Sequence, residues 1–291
     1  MGALTPIHKL DRTLQEARRL AGEPEKLRPV NSGPTVTKIG LKLALDSPSG
    51  DRAKKALRPI QLGLGTAAGP EKMVTACRAA HAAGMMIKTT DCENGFNAFI
   101  RQTMVDSQHR RWPEGTRTVN AIYGPKSVAI YVFTDSSNTT HVWVMMSEEG
   151  SRMGDILGNF LFDNGADDNV YGQLATAFPD WTLRALTDDL QALIPCPPAD
   201  ADYAEWVAHY ERVARFDQRF NELGAPHGAR ANADKSKILL PQGAPDPPGP
   251  QDSSRTASSS VRVLSSRAPR SARLSSWAST PTIVSMWLKR G

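Results

Sequence analysis

The sequence predicts an α+β fold: an antiparallel sheet backed by helices, followed by a disordered tail. Three observations carry that prediction. Segments rich in β-branched and apolar residues, "MMIKTTD", "SVAIYVF" with "HVWVMM", and "WTLRALTDDLQALI", alternate with stretches of helical spacing, in the order strand, helix, hairpin, helix, hairpin, helix, strand. Of the 291 residues, 40% are hydrophobic, enough for a sizeable core. After residue 243 the composition turns to Pro, Ser and Arg with few periodic apolar positions, as in disordered segments.

Taken in order, "LDRTLQEARRL" (10–20) sets Leu10, Leu14 and Ala17 on one helical face, and Gly22 and Pro24 break the chain after it. "PTVTKIGLKLALDS" is helical, with Lys38 and Lys42 one turn apart. "RPIQLGLGTAAGPE" has too much glycine for a long helix, and "EKMVTACRAAHAAG" returns to helix, which Gly84 can close. "MMIKTTD" reads as a buried strand ending on Asp91, and "FNAFIRQTMVDSQHRR" as helix. The two β-branched runs around a polar loop make a hairpin, and "SEEGSRMGDILGNFLFDNGADDNVYGQLATAF" a turn and a long helical stretch. "WTLRALTDDLQALI" is strand, acidic turn, strand. "DYAEWVAHYERVARFDQRFNELG" is an amphipathic helix stopped by Gly224, and "ANADKSKILLP" a loop with a short strand.

Charge and cysteine usage narrow the class. A net charge of +5 is compatible with a polyanionic partner. Cys77, Cys92 and Cys196 are odd in number and fit neither a zinc motif nor a disulfide ladder, which points to a reduced, intracellular protein. The start lacks a signal peptide's apolar core and no apolar run is long enough to span a bilayer, so no membrane partner is expected.

The chemistry concentrates in aspartates. Asp91 ends a buried strand, and Asp188 and Asp189 sit in the turn of a hairpin. Carboxylates brought together at two sheet edges can hold two divalent cations roughly 3.5–4 Å apart, one to activate an attacking hydroxyl and one to neutralise a leaving phosphate. Magnesium suits such a site because it takes few carboxylates and keeps positions for phosphate oxygens. Taken singly, each aspartate is better explained as turn chemistry, and only the ordered set shifts that balance. A second acidic pair, Asp167-Asp168 in "GADDNVYG", lacks a preceding apolar strand and falls within the helix after "GDILGNFLFD", as an exposed face or a local irregularity.

The ordered set of segments resembles the fingers and palm of a reverse transcriptase from a non-LTR retrotransposon, closest to the site-specific elements of trypanosomatid genomes that insert in spliced-leader genes. The resemblance runs from about residue 24 to 241: "KLRPVNSGPTVTKIGLKLAL" is similar to the fingers segment, "QLGLGTAAGPE" to the approach to the palm, "KTTDCENGFNAF" to the first palm motif, "EGSRMGDILGNFLFD" to the Gly-rich second motif, "RALTDDLQALI" to the metal-binding hairpin and "ANADKSKILLP" to the segment after it. It implies a palm-type fold and an RNA-directed DNA polymerase using two Mg2+ or Mn2+ ions, with an RNA template, a DNA primer and dNTPs as partners, in the nucleus. Carried over residue by residue, it makes Asp91, Asp188 and Asp189 the catalytic, metal-holding carboxylates. Phe96 becomes the aromatic that leaves no room for a 2′-hydroxyl, against the plain reading of a core ring. Gly150, Gly154 and Asp155 would frame a turn approaching the incoming nucleotide, or else cap the next helix. Arg28, Lys38 and Lys42 would meet phosphates and Lys235 the departing pyrophosphate, or be solvated.

The pattern has departures. Met153 stands where the family has Gln, and Leu186-Thr187 replace its aromatic-Ala before the two aspartates. Three parts are expected: an N-terminal helix and fingers segment (1–80), a palm (81–243) and a disordered tail (244–291) that resembles no thumb and reads as frameshifted or unselected sequence. The resemblance therefore also allows a truncated, non-catalytic nucleic-acid-binding remnant. A different palm-type enzyme, a nucleotidyl cyclase or phosphohydrolase, fits less well, given the helix between the hairpins and the Phe-Asn after Asp91.

Overall fold

The computed structural model describes residues 2–8, 20, 27–134, 138–152, 154–247 and 263–265. In chain order the elements are β1 (Gly2–His8), β2 (Leu27–Ser32), α1 (Thr35–Leu45), α2 (Pro48–Lys55), α3 (Gly69–Ala82), β3 (Met86–Asp91), α4 (Gly95–Ala98), α5 (Arg101–Arg111), α6 (Thr116–Tyr123) and the hairpin β4 (Ser127–Thr134) and β5 (Thr140–Ser147). There follow α7 (Ile156–Ala166), α8 (Gly172–Ala177), the hairpin β6 (Thr182–Leu186) and β7 (Asp189–Ile194), α9 (Tyr203–Gly224), β8 (Lys237–Leu239) and β9 (Val263–Ser265). They divide into two compact units, each built from two stretches of chain: residues 1–56 with 96–165, and residues 57–95 with 166–291.

In the first unit the predicted hairpin forms, Ser127 opposite Ser147 through Thr134 opposite Thr140. It belongs to a larger sheet in the order β2-β1-β4-β5, with β1 antiparallel to β2 and parallel to β4. The sequence reading missed β1 and β2, because Pro6 and Pro29 interrupt the β-branched signal; the two prolines face each other in the ladder. The helix expected over residues 10–20 lies outside the described residues except for Leu20. α1 forms as predicted, and α2 starts on Ser47, whose hydroxyl accepts the Gly50 amide at 3.2 Å with Pro48 behind it. Aromatic rings fill the core: Trp112 meets Phe160 edge-on at 5.5 Å, and Phe99 meets Phe162 at 5.6 Å. The helix predicted as one piece from residue 96 is broken at Ile100, whose backbone is extended (φ −61°, ψ 121°), into α4 and α5.

The second unit holds a five-stranded sheet in the order β6-β7-β3-β8-β9, antiparallel throughout. β3 is central, and alternation gives its two faces different work. Ile87 clusters with Ala80 of α3 and Leu193 of β7. Lys88, fully buried on the other face, places its ammonium 2.9 Å from Asp217 of α9. α9 opens with a reciprocal capping box between Asp202 and Glu205 and buries Trp206, Tyr210, Val213, Phe216, Phe220 and Leu223 at helical spacing. Phe216 lies against Phe178 and Trp181 at 5.2 and 5.3 Å. Within the tail predicted as disordered, Val263–Ser265, from its one alternating apolar run, pairs with β8; residues 248–262 and 266–291 lie outside the described residues.

The stretch "GADDNVYG" is helical but irregular: Asp167–Tyr171 make one π-helical turn between α7 and α8. Asp167 is buried and Asp168 half-buried, so the pair is the expected local irregularity and not an exposed face. Gly165, just before this turn, is a packing requirement. A Cβ there would stand 2.9 Å from both Met104 Cγ and Phe99 Cε1.

Candidate active site

The acidic hairpin is placed by backbone pairing. β6 and β7 are joined by a two-residue turn, Thr187-Asp188, closed by the pair Leu186–Asp189. β7 also pairs with β3 from Met86–Ile194 to Asp91–Asp189, so Asp91 and Asp189 lie directly opposite each other. Opposed residues of an antiparallel pair share a face, with Cβ atoms about 4.5–5.5 Å apart. Asp189 is exposed and Asp91 and Asp188 half-buried. Thus Asp91, 97 positions before Asp188 in the sequence, comes to the same end of the sheet as Asp188 and Asp189. Their charge reaches Cys92: burial first, then the Asp188, Asp91 and Glu93 carboxylates, push its thiol up to about 12.

Like charges placed opposite one another repel, and a loop supplies the counter-charge. The stretch 230–236 is knitted to the end of β3 by backbone. Glu93 N–H donates to Arg230 O at 2.7 Å, Asn232 N–H to Asp91 O at 2.8 Å, and Cys92 bridges Ala231. The buried Ser236 hydroxyl donates to Asn232 O at 2.8 Å and accepts the Asp91 amide at 3.3 Å. This fixes Lys235 so that its ammonium straddles both Asp91 carboxylate oxygens at 3.0 and 3.1 Å.

Among the described residues, no three His, Cys, Asp or Glu side chains stand close enough as a group to hold a metal ion. The donor chemistry nevertheless fits a hard divalent cation. All three groups are carboxylates, and a cationic nitrogen already occupies both oxygens of Asp91, as a metal ion would.

The remaining predicted residues belong to the first unit. Phe96 is half-buried and stacks on Phe162 at 4.9 Å, so the core-ring reading describes its present contact. Its carbonyl accepts the Ser151 amide at 2.7 Å, and a Cβ on Gly150 (φ 69°) would stand 2.5 Å from that same carbonyl oxygen. Only glycine allows this approach, which ties the first-motif helix to the turn of the second motif. Gly154 (φ 90°) is exposed, and the Asp155 carboxylate accepts the Leu157 amide at 2.8 Å, capping α7. Lys42 forms an exposed pair with Asp46 at 2.9 Å, and with Lys54 it holds the Asp46 carboxyl below its ordinary range. Lys38 is half-buried on the same helix. Arg28 lies in β2 opposite Ile7, its side chain outside the described ones, and Met153 is outside the described residues altogether.

Two residues that the sequence reading passed over hold these motifs. Arg101, nearly fully buried, donates from its guanidinium to the carbonyls of Ser147, Glu149 and Gly150 and to the Ser147 hydroxyl, at 2.8–3.0 Å. Its own amide, freed by the break at Ile100, donates to the Glu149 carboxylate at 3.0 Å. Gln61 grips the acidic hairpin itself. An arginine at a helix start carries no pattern that distinguishes it from a solvated one; for Gln61 the signal was the glycine-rich setting of "QLGLG".

No protein-family profile matches the sequence, and no curated protein matches it significantly. Solved structures do match. The telomerase of Candida albicans, in complex with a TWJ fragment of telomeric RNA, superposes with a TM-score of 0.52 at 11% identity, covering 84% of this chain and 42% of that one. The apo telomerase of Candida tropicalis truncated from its C-terminal domain gives a TM-score of 0.49 at 12% identity, covering 83% and 50%. At such identity the first likeness shows a fold shared with that telomerase and nothing beyond it. The chain spans about two fifths of the length of that telomerase, by the 42% coverage.

Proposed function

We propose that this chain carries an RNA-directed DNA polymerase site of the non-LTR retrotransposon type, transferring a deoxynucleotidyl group from a dNTP to a primer 3′-hydroxyl on an RNA template. The observation that carries the reading is the register that sets Asp91 opposite Asp189, with Asp188 in the adjoining turn, at one end of an antiparallel sheet. The reverse-transcriptase-type fold and the ordered motifs support it. Asp91, Asp188 and Asp189 would hold two Mg2+ or Mn2+ ions; bound there, such ions lower the pKa of the attacking hydroxyl and neutralise charge on the leaving pyrophosphate. Lys235 pairs with Asp91 before loading and, once released, would be a cation beside the site for the leaving phosphates. The roles of Phe96, Arg28, Lys38, Lys42, Gly150, Gly154 and Asp155 rest on the motif match.

Primer extension on an RNA template with Mg2+ or Mn2+ tests the reading. Product is expected from the native chain and none from Asp188→Ala. Folded protein that yields no product under either metal overturns it. That outcome favours the second reading, a non-catalytic nucleic-acid-binding relative, for which the observation is Lys235 seated on Asp91 with no preformed three-carboxylate cluster among the described residues.

A further inference from the structure

We infer that Gln61 is a positioning residue that sets the conformation of the acidic hairpin and hence its affinity for divalent cations. The inference rests on the reading of Asp188 and Asp189 as metal ligands. Gln61 has no exposed surface. Its carboxamide makes two reciprocal bonds to the main chain of one turn residue, one on each side of its Cα: Nε2 donates to Thr187 O at 3.0 Å, and Oε1 accepts the Thr187 N–H at 3.1 Å. The same segment is locked in register with β6, because Leu62 N–H donates to Ala185 O and Ala185 N–H to Ile60 O, both at 2.8 Å. The backbone of Gln61 is therefore fixed beside Ala185 while its side chain reaches the turn two residues on.

What it holds is a strained conformation. Thr187 is the first turn residue and has φ 59°, in the left-handed region that a two-residue hairpin turn normally gives to glycine. A β-branched residue stays there only when its surroundings over-determine it. Tyr171 adds a third bond, its hydroxyl donating to Thr187 O at 3.2 Å. Gly63 lets the chain pass close, since a Cβ there would stand 3.2 Å from Thr187 Oγ1 and 3.3 Å from Thr187 N. Asp188 follows immediately, and the Thr187 carbonyl that Gln61 and Tyr171 both hold belongs to the peptide bond leading into it, so the clamp helps to aim the first hairpin carboxylate. Glutamine is the side chain of this reach that offers a donor and an acceptor together: ionised glutamate cannot donate, and methionine cannot donate and accepts only weakly.

The test uses the full chain with two readouts: Mn2+ affinity by titration of the free-ion EPR signal, and amide hydrogen exchange at Thr187. Native protein should bind Mn2+ and Asp188→Asn should not. Gln61→Met, which keeps volume, should weaken Mn2+ binding about tenfold, the range in which partners of metal ligands act. Its Thr187 amide should exchange at least about tenfold faster, while amides in the Val213–Phe220 part of α9 keep their protection. Adding Thr187→Gly to Gln61→Met should restore the affinity, because glycine adopts φ near +60° without a clamp; a merely space-filling Gln61 would show no such rescue. Gln61→Glu, which retains the shape and one of the two bonds, serves if Gln61→Met fails to fold, and should weaken binding in the same direction. Unchanged Thr187 exchange or unchanged Mn2+ affinity in these variants overturns the proposal. Mn2+ binding that Asp188→Asn leaves intact overturns the functional reading instead, and the exchange data still decide whether Gln61 clamps the turn.

Discussion

Lys235→Ala should strengthen metal binding while weakening turnover, and the two signs together distinguish a resident counter-ion from a structural lysine. The ammonium lies 3.0 Å from one Asp91 oxygen, with the Lys235 side chain 46% exposed and that of Asp91 19% exposed. Two unit charges at 4 Å attract by about 4 kcal/mol at an effective dielectric constant near 20, but solvent screening and side-chain freedom reduce exposed pairs to roughly 0–1 kcal/mol. With Asp91 the better shielded partner, the upper end of that range, about 1 kcal/mol, is the cost a divalent ion must meet to displace the lysine. Removing it should tighten Mn2+ binding about fivefold. Free Mn2+ measured by EPR at fixed pH and ionic strength gives the number, with Asp91→Asn as the variant that should lose binding. The difference should narrow as salt is raised, since half of the lysine is in solvent. Primer extension should fall in the same variant, because the cation near the leaving phosphates is gone. Mn2+ affinity that is unchanged or lower in Lys235→Ala refutes the displacement argument.

Further outcomes follow from the packing. Lys88→Met should destabilise the fold by about 3–5 kcal/mol in urea unfolding at neutral pH, because Asp217 is left charged and unpartnered. Burial already raises the Asp217 carboxyl above its ordinary value, against the pull of Lys88. A raised folded-state pKa contributes stability below the unfolded-state pKa and loses it as pH rises, so the deficit of Lys88→Met relative to Lys88→Met/Asp217→Asn should shrink on acidification toward pH about 5. Cys92, buried and with its thiol pushed up to about 12, should resist iodoacetamide at pH about 8 in native protein, and half-buried Cys77 and Cys196 should label first by peptide mass mapping. Gly165→Ala should lower stability by about 1–3 kcal/mol less the ~1 kcal/mol helix-propensity gain, read as a fall in Tm, since the new Cβ overlaps Met104 and Phe99.

Legibility in this sequence followed the range of the interaction that forms each element. Periodicity is local, so α1, α3, the hairpins and α9 could be read directly; the alternation and the capping pair Asp202/Glu205 are written in consecutive letters. β1 and β2 could not, since each is held by long-range ladders that accommodate Pro6 and Pro29, and no local signal outweighs a proline within a strand. The break at Ile100 is likewise tertiary: it releases the Arg101 amide to Glu149, a partner 48 residues away. The residues of the candidate site divide the same way. Asp91, Asp188 and Asp189 were legible because carboxylates at strand ends are conspicuous, whereas Gln61 reaches Thr187 across 126 positions.

The two acidic pairs show why order of elements decides what letters leave open. "GADD" has the more familiar residues, yet its aspartates lie in a helical stretch, one of them buried, within a π turn. A helix spreads neighbouring side chains by about 100° each, so Asp167 and Asp168 do not share a direction. A two-residue turn between paired strands does the opposite. It ends both strands at the same edge and delivers Asp188 and Asp189 beside whatever residue closes the neighbouring strand, here Asp91. The placing of Asp188 and Asp189 therefore depends on the turn, and the turn depends on a threonine held at φ 59°. An Ala preceding the first aspartate would also need that conformation held for it. Replacing Thr187 by Ala in the native background should for that reason leave the Gln61 bonds, which reach only main chain, intact, and change Mn2+ affinity by less than about twofold, well inside the tenfold to hundredfold range expected of lost ligand support. A tenfold loss in Thr187→Ala would mean that the side chain, and not the clamped peptide, aims Asp188.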